Sequence, residues 1–433
     1  MLKKDAWRSQ NVNKKRFTLF FGFVLLVVNG MKAQSFIPFD QRFSFIQYDE
    51  NKIVLPGDSL DFLQFLRKFD KLNGLGKGKL QVVHFGGSHV QADIWTGRIR
   101  THFNTFLNQK LAARGLIFPH KVVKTNGSAT YEITYQKAWE GLRNIKLTSS
   151  ENMGLMGWKA TAKDSGQTFT VQLKTDAHTQ YVFDKLQVFH DTGWKAFSFT
   201  VSVRDSIFKP TFNSNCQCSE VLLPFIATDF TFTVHKEDSL QESFVLYGIN
   251  TQIQSTGFVY HNIGVNGASV PSYLNSNLLE QQIAQIKPDL VVFSIGINDA
   301  FSSDFTRQGF ESNYDELIRR IKKQMPGVAI LLTTNTDSYK TIKKRQYKNY
   351  TGNDVRTAMY NLAIKHGAAV WDMYSVMGGL GSIELWRRNG LAQKDLIHLT
   401  FNGYKYMGDL FFDAFLKRYE AFVASPLANL QYE

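Results

Sequence analysis

Several short segments of this 433-residue chain carry side chains that could share one reaction. Gly86-Gly87-Ser88-His89 closes an apolar run and opens a polar, helix-compatible stretch. A serine at such a strand-to-helix turn stands where open α/β folds place ligands, and the helix N-terminus there favours an oxyanion. Asp395-Leu396-Ile397-His398 supplies what a serine hydroxyl needs to become a nucleophile. Histidine can take the proton, and a carboxylate three residues earlier can reach its Nδ1 and stabilise the imidazolium. Gly264-Val265-Asn266-Gly267 offers an accessible backbone N–H, and Gly296-Ile297-Asn298-Asp299 offers a side-chain NH₂ to a developing oxyanion. Each segment alone also has an ordinary reading: a helix cap, a βα turn, an Asx-turn, a loop acid beside a surface histidine. Together they describe acyl transfer to water or to another hydroxyl.

The elements that must position these residues alternate. The Lys79 to His89 segment reads as a buried strand closing on a tight glycine turn, and Gly257 to Ile263, Asp289 to Ile295, Val328 to Thr334 and Ala368 to Met373 read as further buried strands. Helical patterns precede the last three, at Tyr273 to Ile286, Tyr314 to Met325 and Asp354 to His366, and a final helix is expected from about Asn402 to Ala424. This order predicts a three-layer α/β domain with a parallel sheet and right-handed crossovers. Between Leu111 and Gly257 the character changes to period-two alternation, as in Tyr131 to Tyr135, Thr168 to Leu173, Phe197 to Val203 and Phe230 to Val234. Turn signals at Asn126-Gly127 and Asp164-Ser165-Gly166 separate such runs, so an inserted all-β sandwich is expected at 122–255. The α/β domain then comprises 35–121 and 256–433.

Residues 1–34 read as a secretory signal peptide: a basic start, the apolar run Phe17 to Asn29, and Ala33 before a plausible cut. The run is shorter than the roughly 20 residues a spanning helix takes. No later stretch is apolar enough to span, so the expectation is a secreted or periplasmic protein. The net charge is +13, of which the leader contributes +6 and the remaining chain +7. That suits an anionic polymer as well as plain solubility. No concentrated basic run with interleaved aromatics occurs, Lys343-Lys344-Arg345 being short, and nucleic acid is not expected as a partner. Cys216 and Cys218 are the two cysteines; a bridge at that spacing would be strained, a zinc site would need more ligands, and a local loop feature is the simpler reading. No HExxH pairing or calcium-loop spacing appears, and the chemistry calls for no metal or organic cofactor.

The segments, in this order, resemble the four blocks of the SGNH (GDSL-like) hydrolase superfamily. Ser88, Gly267, Asn298 and His398 match the naming residues, and Asp395 matches the triad acid. His398-Leu399-Thr400-Phe401-Asn402-Gly403-Tyr404 also resembles the usual ending of the last block. The likeness covers roughly 78–110 and 256–424. It implies a flavodoxin-like sheet, a Ser88–His398–Asp395 triad, and an oxyanion hole from the Ser88 N–H, the Gly267 N–H and the Asn298 side chain. One departure is Gly87, where the family has Asp, which implies altered support for the turn. His89 is expected to be structural or to line the substrate site.

The β region resembles the carbohydrate-binding-like module of peptidoglycan O-acetylesterases in that superfamily. The resemblance therefore implies a secreted esterase acting on an O-acetylated glycan or peptidoglycan. Other readings are a lipase or thioesterase, a glycan O-acetyltransferase, or a glycan-binding protein with a vestigial triad. Oligomeric state is not legible.

Overall fold

The computed structural model describes residues 41–147, 151–176, 178–255 and 257–426, and the expected leader lies outside them. Six strands form the central sheet: β1 (Ile53–Val54), β2 (Lys79–Gly86), β3 (Gly257–Gly264), β4 (Leu290–Ser294), β5 (Ala329–Thr333) and β6 (Ala369–Trp371). Their order is β1-β6-β5-β4-β2-β3. All neighbours are parallel except the antiparallel edge pair β1–β6. Parallel strands buried on both faces read as continuous apolar runs, and these do.

Helices cover both faces. On one, α1 (Leu60–Leu75), α2 (Trp95–Phe106) and α5 (Phe401–Val423) pack together. Their contact is an aromatic cluster in which Phe69 lies 5.7 Å from Phe103 and 5.0 Å from Phe415. Against the other face pack α3 (Arg307–Gln324) and α4 (Thr351–His366), with Tyr314 edge-on to Phe293 of β4. No helix among the described residues is long and apolar enough to cross a membrane.

Two expected helices are broken. The stretch after Ser88 divides into Ser88–Gln91 and α2, because Asp93 between them adopts φ +56°. The Tyr273 to Ile286 pattern divides into Val270–Leu274 and Leu279–Ile286; Ser269 and Ser272 form a capping box at the first.

Between β2 and β3 in sequence lie two antiparallel sheets. The larger includes Gly115–Ile117, Glu140–Arg143, Trp158–Ala162, Phe183–His190, Cys218–Ala227 and Phe244–Gln252. The smaller holds Tyr131–Tyr135, Thr168–Leu173, Ser198–Val203, Ser206–Phe208 and Asp229–His235. Inward-facing rings fill the space between them: Phe232 stacks on Phe169 and Phe199 with centroids 5.0 and 4.6 Å away. Cys216 and Cys218, read as a loop feature, are joined by a disulfide at the turn into Cys218–Ala227.

A buried ionic cluster joins this β region to the α/β layers. Asp93 is fully buried and receives Arg100 at 3.1 Å and Arg114 at 2.6 Å, with Ser128 and Thr130 hydroxyls donating as well. Arg114 also donates to Asn262 of β3. Burial pushes the Asp93 carboxyl upward, but the two guanidiniums and the hydroxyls outweigh it and hold the group far below the usual carboxylate range.

Candidate active site

Parallel strands all end at one edge of a sheet, and the candidate residues follow those ends. Ser88 begins the short helix after β2, Gly267 lies in the loop after β3, and Asn298 lies in the first turn of the short helix Ile297–Phe301 after β4. Close packing at the serine turn requires glycine at the end of β3, since a methyl on Gly264 would overlap the Gln91 backbone. The Gly86 carbonyl accepts from Tyr273 Oη at 2.7 Å and from the Val265 N–H at 3.2 Å. These contacts brace the turn that carries Gly87 and Ser88.

The loop before α5 brings the base to this edge. His398 Nε2 is 2.8 Å from Ser88 Oγ, and His398 Nδ1 is 2.7 Å from Asp395 Oδ2. Asp395 Oδ1 accepts the N–H groups of Ile397 and His398, both at 3.0 Å, and Leu396 turns the chain through φ +55° between them. Partial burial pushes the Asp395 carboxyl up; the imidazole and the two amides outweigh that and hold it below its ordinary value. The acid therefore stays charged where an imidazolium would need it. Ser88, His398 and Asp395 are all half-buried, open enough to meet a ligand.

Two further donors flank Ser88. Gly267 is exposed with φ +84°, a conformation that favours glycine. Asn298 Nδ2 donates to the Ala268 carbonyl at 2.9 Å, which fixes the amide and leaves its second hydrogen for another acceptor. The same nitrogen stands 3.2 Å from where a Cβ on residue 87 would sit, so the amide lies directly beside the serine turn. The Ser88 N–H, in the first turn of its helix, has no intrahelical acceptor. The structure thus brings all five sequence-predicted residues to one sheet edge. Such an arrangement can deprotonate a serine, hold the resulting imidazolium, and receive negative charge on an attacked carbonyl.

Two histidines support the site without titrating near neutrality. His89 stacks on His398 with ring centroids 5.3 Å apart and shares a 3.1 Å hydrogen bond with Tyr404 Oη. Burial, then the neighbouring His398, pushes its pKa down to about 3. His84, within β2, bridges Tyr260 Oη at 2.8 Å and Ser294 Oγ at 2.6 Å; burial likewise lowers it to about 3. The remaining helix residues take structural partners: Arg98 pairs with Asp409, and Gln91 receives the Asn266 N–H at 2.7 Å.

Sequence reasoning missed Arg143, which donates to the Asn266 carbonyl at 3.0 Å from 123 positions away. A lone arginine in a polar stretch gives no signal of such a partner. A cleft of about 250 Å³ adjoins Asn298 and is lined by Ser269, Asp299, Ser302, Phe305 and Thr306 among others. Burial raises the Asp299 carboxyl to about 6, against the opposing pull of the Val270 N–H. Among the described residues, Cys216, Cys218 and Glu220 form the one cluster spaced to hold a metal, and both sulfurs are committed to the disulfide.

Residues 246–406 match the GDSL-like Lipase/Acylhydrolase family, a span that includes Gly267, Asn298, Asp395 and His398 but not Ser88. A solved structure described as a peptidoglycan O-acetylesterase in action is similar to this chain with TM-score 0.70 and 18% identity, covering 85% of this chain and 99% of that one. An acetyl xylan esterase is 21% identical over 37% of this chain and 81% of its own, with TM-score 0.30. The lipase/acylhydrolase from Enterococcus faecalis is 20% identical over 37% and 77%, also with TM-score 0.30. No curated protein matches the sequence. The family span lies on the parallel sheet, and the fold of both regions is shared with the first of these structures.

Proposed function

We propose that the protein is a secreted serine esterase that removes O-acetyl groups from a cell-wall or other polysaccharide. The observation that carries the reading is the unbroken chain Ser88 Oγ–His398–Asp395, with links of 2.8 and 2.7 Å. His398 takes the hydroxyl proton as Ser88 Oγ attacks the ester carbonyl, and Asp395 balances the imidazolium. The oxyanion is received by the N–H groups of Ser88 and Gly267 and by the Asn298 amide. The tetrahedral intermediate collapses as His398 returns its proton to the departing sugar hydroxyl, leaving acetyl on Ser88. A water, deprotonated by the same imidazole, then releases acetate and restores the serine.

The cleft beside Asn298 mixes the polar Ser269, Asp299, Ser302 and Thr306 with the rings of Phe305 and Phe310, a lining that suits a sugar, with its hydroxyls and apolar ring faces. The +7 charge beyond the expected leader suits an anionic glycan. The shared two-part fold with a peptidoglycan O-acetylesterase is in keeping with that class. The purified protein should release acetate from O-acetylated peptidoglycan or xylan and cleave short-chain aryl esters, with both activities lost in Ser88→Ala. Cleavage of long-chain esters alone would overturn the glycan reading, and acetyl transfer to a glycan acceptor exceeding hydrolysis would replace hydrolase with transferase.

A further inference from the structure

Asn266 has both of its backbone polar groups held by side chains. Its N–H donates to Gln91 Oε1 at 2.7 Å, and its carbonyl accepts from Arg143 Nη1 at 3.0 Å. Gln91 is buried on the serine turn and is itself tied to the Asn126 carbonyl at 3.3 Å. Arg143 ends the strand Glu140–Arg143 of the larger antiparallel sheet, and its guanidinium lies 5.6 Å over the buried Trp158 ring. The next residue but one, Ile145, comes within 3.5 Å of the place a Gly267 side chain would occupy.

The Asn266 carbonyl and the Gly267 N–H belong to one planar trans peptide, so they point in opposite directions. Whatever fixes the carbonyl therefore aims the N–H. A cation on a carbonyl oxygen also draws electron density from the nitrogen and makes its N–H a stronger donor, an effect magnified where water is partly excluded. We infer that Arg143, supplied by the inserted β region, is a positioning residue for the oxyanion hole: it orients and polarises the Asn266–Gly267 peptide. The inference rests on the oxyanion role proposed above for Gly267. It gives the insertion a part in the acyl-transfer step that is separate from any glycan contact.

The test compares full-length Arg143→Met, which keeps an apolar stem over Trp158, with Arg143→Lys, which restores a charged donor. Each is assayed for kcat and KM on p-nitrophenyl acetate. Each is also assayed for inhibition by a small trifluoromethyl ketone, whose adduct with serine places an oxyanion in the hole. Arg143→Met should lower kcat about 10–100-fold with KM within about twofold, and should weaken the ketone by a similar factor. Arg143→Lys should recover most of the loss, because the contact uses a single guanidinium nitrogen. Unchanged kcat in Arg143→Met, a rise in KM alone, or a kcat loss that leaves ketone affinity intact would each overturn the inference. Should Arg143→Met misfold, Arg143→Gln, a neutral side chain at the same place, decides: a kcat loss matched by a loss of ketone affinity supports the inference, and an unchanged kcat or a loss in only one of the two refutes it. Ser88→Ala separates this outcome from failure of the site itself. If that variant still hydrolyses ester, the catalytic reading fails; if it is inactive while Arg143→Met matches wild type, only the role of Arg143 fails.

Discussion

The central sheet and the inserted sandwich are both packed around aromatic rings, yet candidate chemistry gathers on only one of them. Every parallel strand ends at the same edge, so the turns after β2, β3 and β4 present Ser88, Gly267 and Asn298 together. In the sandwich, neighbouring strands end on opposite sides, and polar groups on successive turns are kept apart. Its interior is spent on stacked rings such as Phe169, Phe199 and Phe232. The insertion reaches the site at its seam, through Arg143, Ile145 and Asn126 and through the ionic cluster at Asp93. Strand direction, rather than composition, separates the two regions.

Four perturbations would break or sharpen that contrast. The largest effect should come from Ser88→Ala, which is expected to lower kcat/KM on a short aryl ester by at least about 10⁴-fold. Its urea unfolding midpoint should stay at the wild-type value, because a half-buried hydroxyl is all that is removed. Asp93→Ala attacks the seam. Two guanidiniums would be left buried beside a missing carboxylate, at a cost of about 3–5 kcal/mol by urea denaturation. A loss below about 1 kcal/mol would mean the cluster does not couple the regions.

Phe232→Ala creates a cavity within the sandwich and should cost about 3–4 kcal/mol by the same measurement. Its kcat per folded molecule should remain near wild type; a collapse of kcat would place the sandwich core in the chemistry after all. The smallest effect concerns Asp299. Its carboxyl is raised to about 6, so the folded chain holds that proton more tightly than the unfolded one. The stability it contributes is full below about pH 4 and is lost as pH rises through 6, with a slope of at most ~1.4 kcal/mol per pH unit. Asp299→Asn should flatten urea midpoints measured between pH 4 and 7.

How much of this was legible in the sequence follows the range of each interaction. Asp395 and His398 form a pair three residues apart, and the serine turn announces itself by two glycines after an apolar run. Tyr131–Tyr135 and Thr168–Leu173 were readable to the residue because one face is buried and the other open. Strand β1 was not, since two residues carry no period. Phe244–Gln252 was hidden because its residues are buried on both sides, so the alternation vanishes. Asp93 sits in a stretch that scans as helix; only the distant Arg114, Ser128 and Thr130 give it a reason to turn left-handed.

That turn also bears on modularity. Asp93 lies five residues beyond Ser88, on the chain that leads out of the nucleophile turn. Its partners Arg114, Ser128 and Thr130 belong to the entry of the insertion, and Arg114 is shared with Asn262 where the chain returns. Excising the β region to make a minimal α/β domain would leave a dry carboxylate with Arg100 and Thr96 but without the groups that complete its shell. The insertion is therefore not a detachable appendage: the smallest self-sufficient unit of this chain contains both sheets.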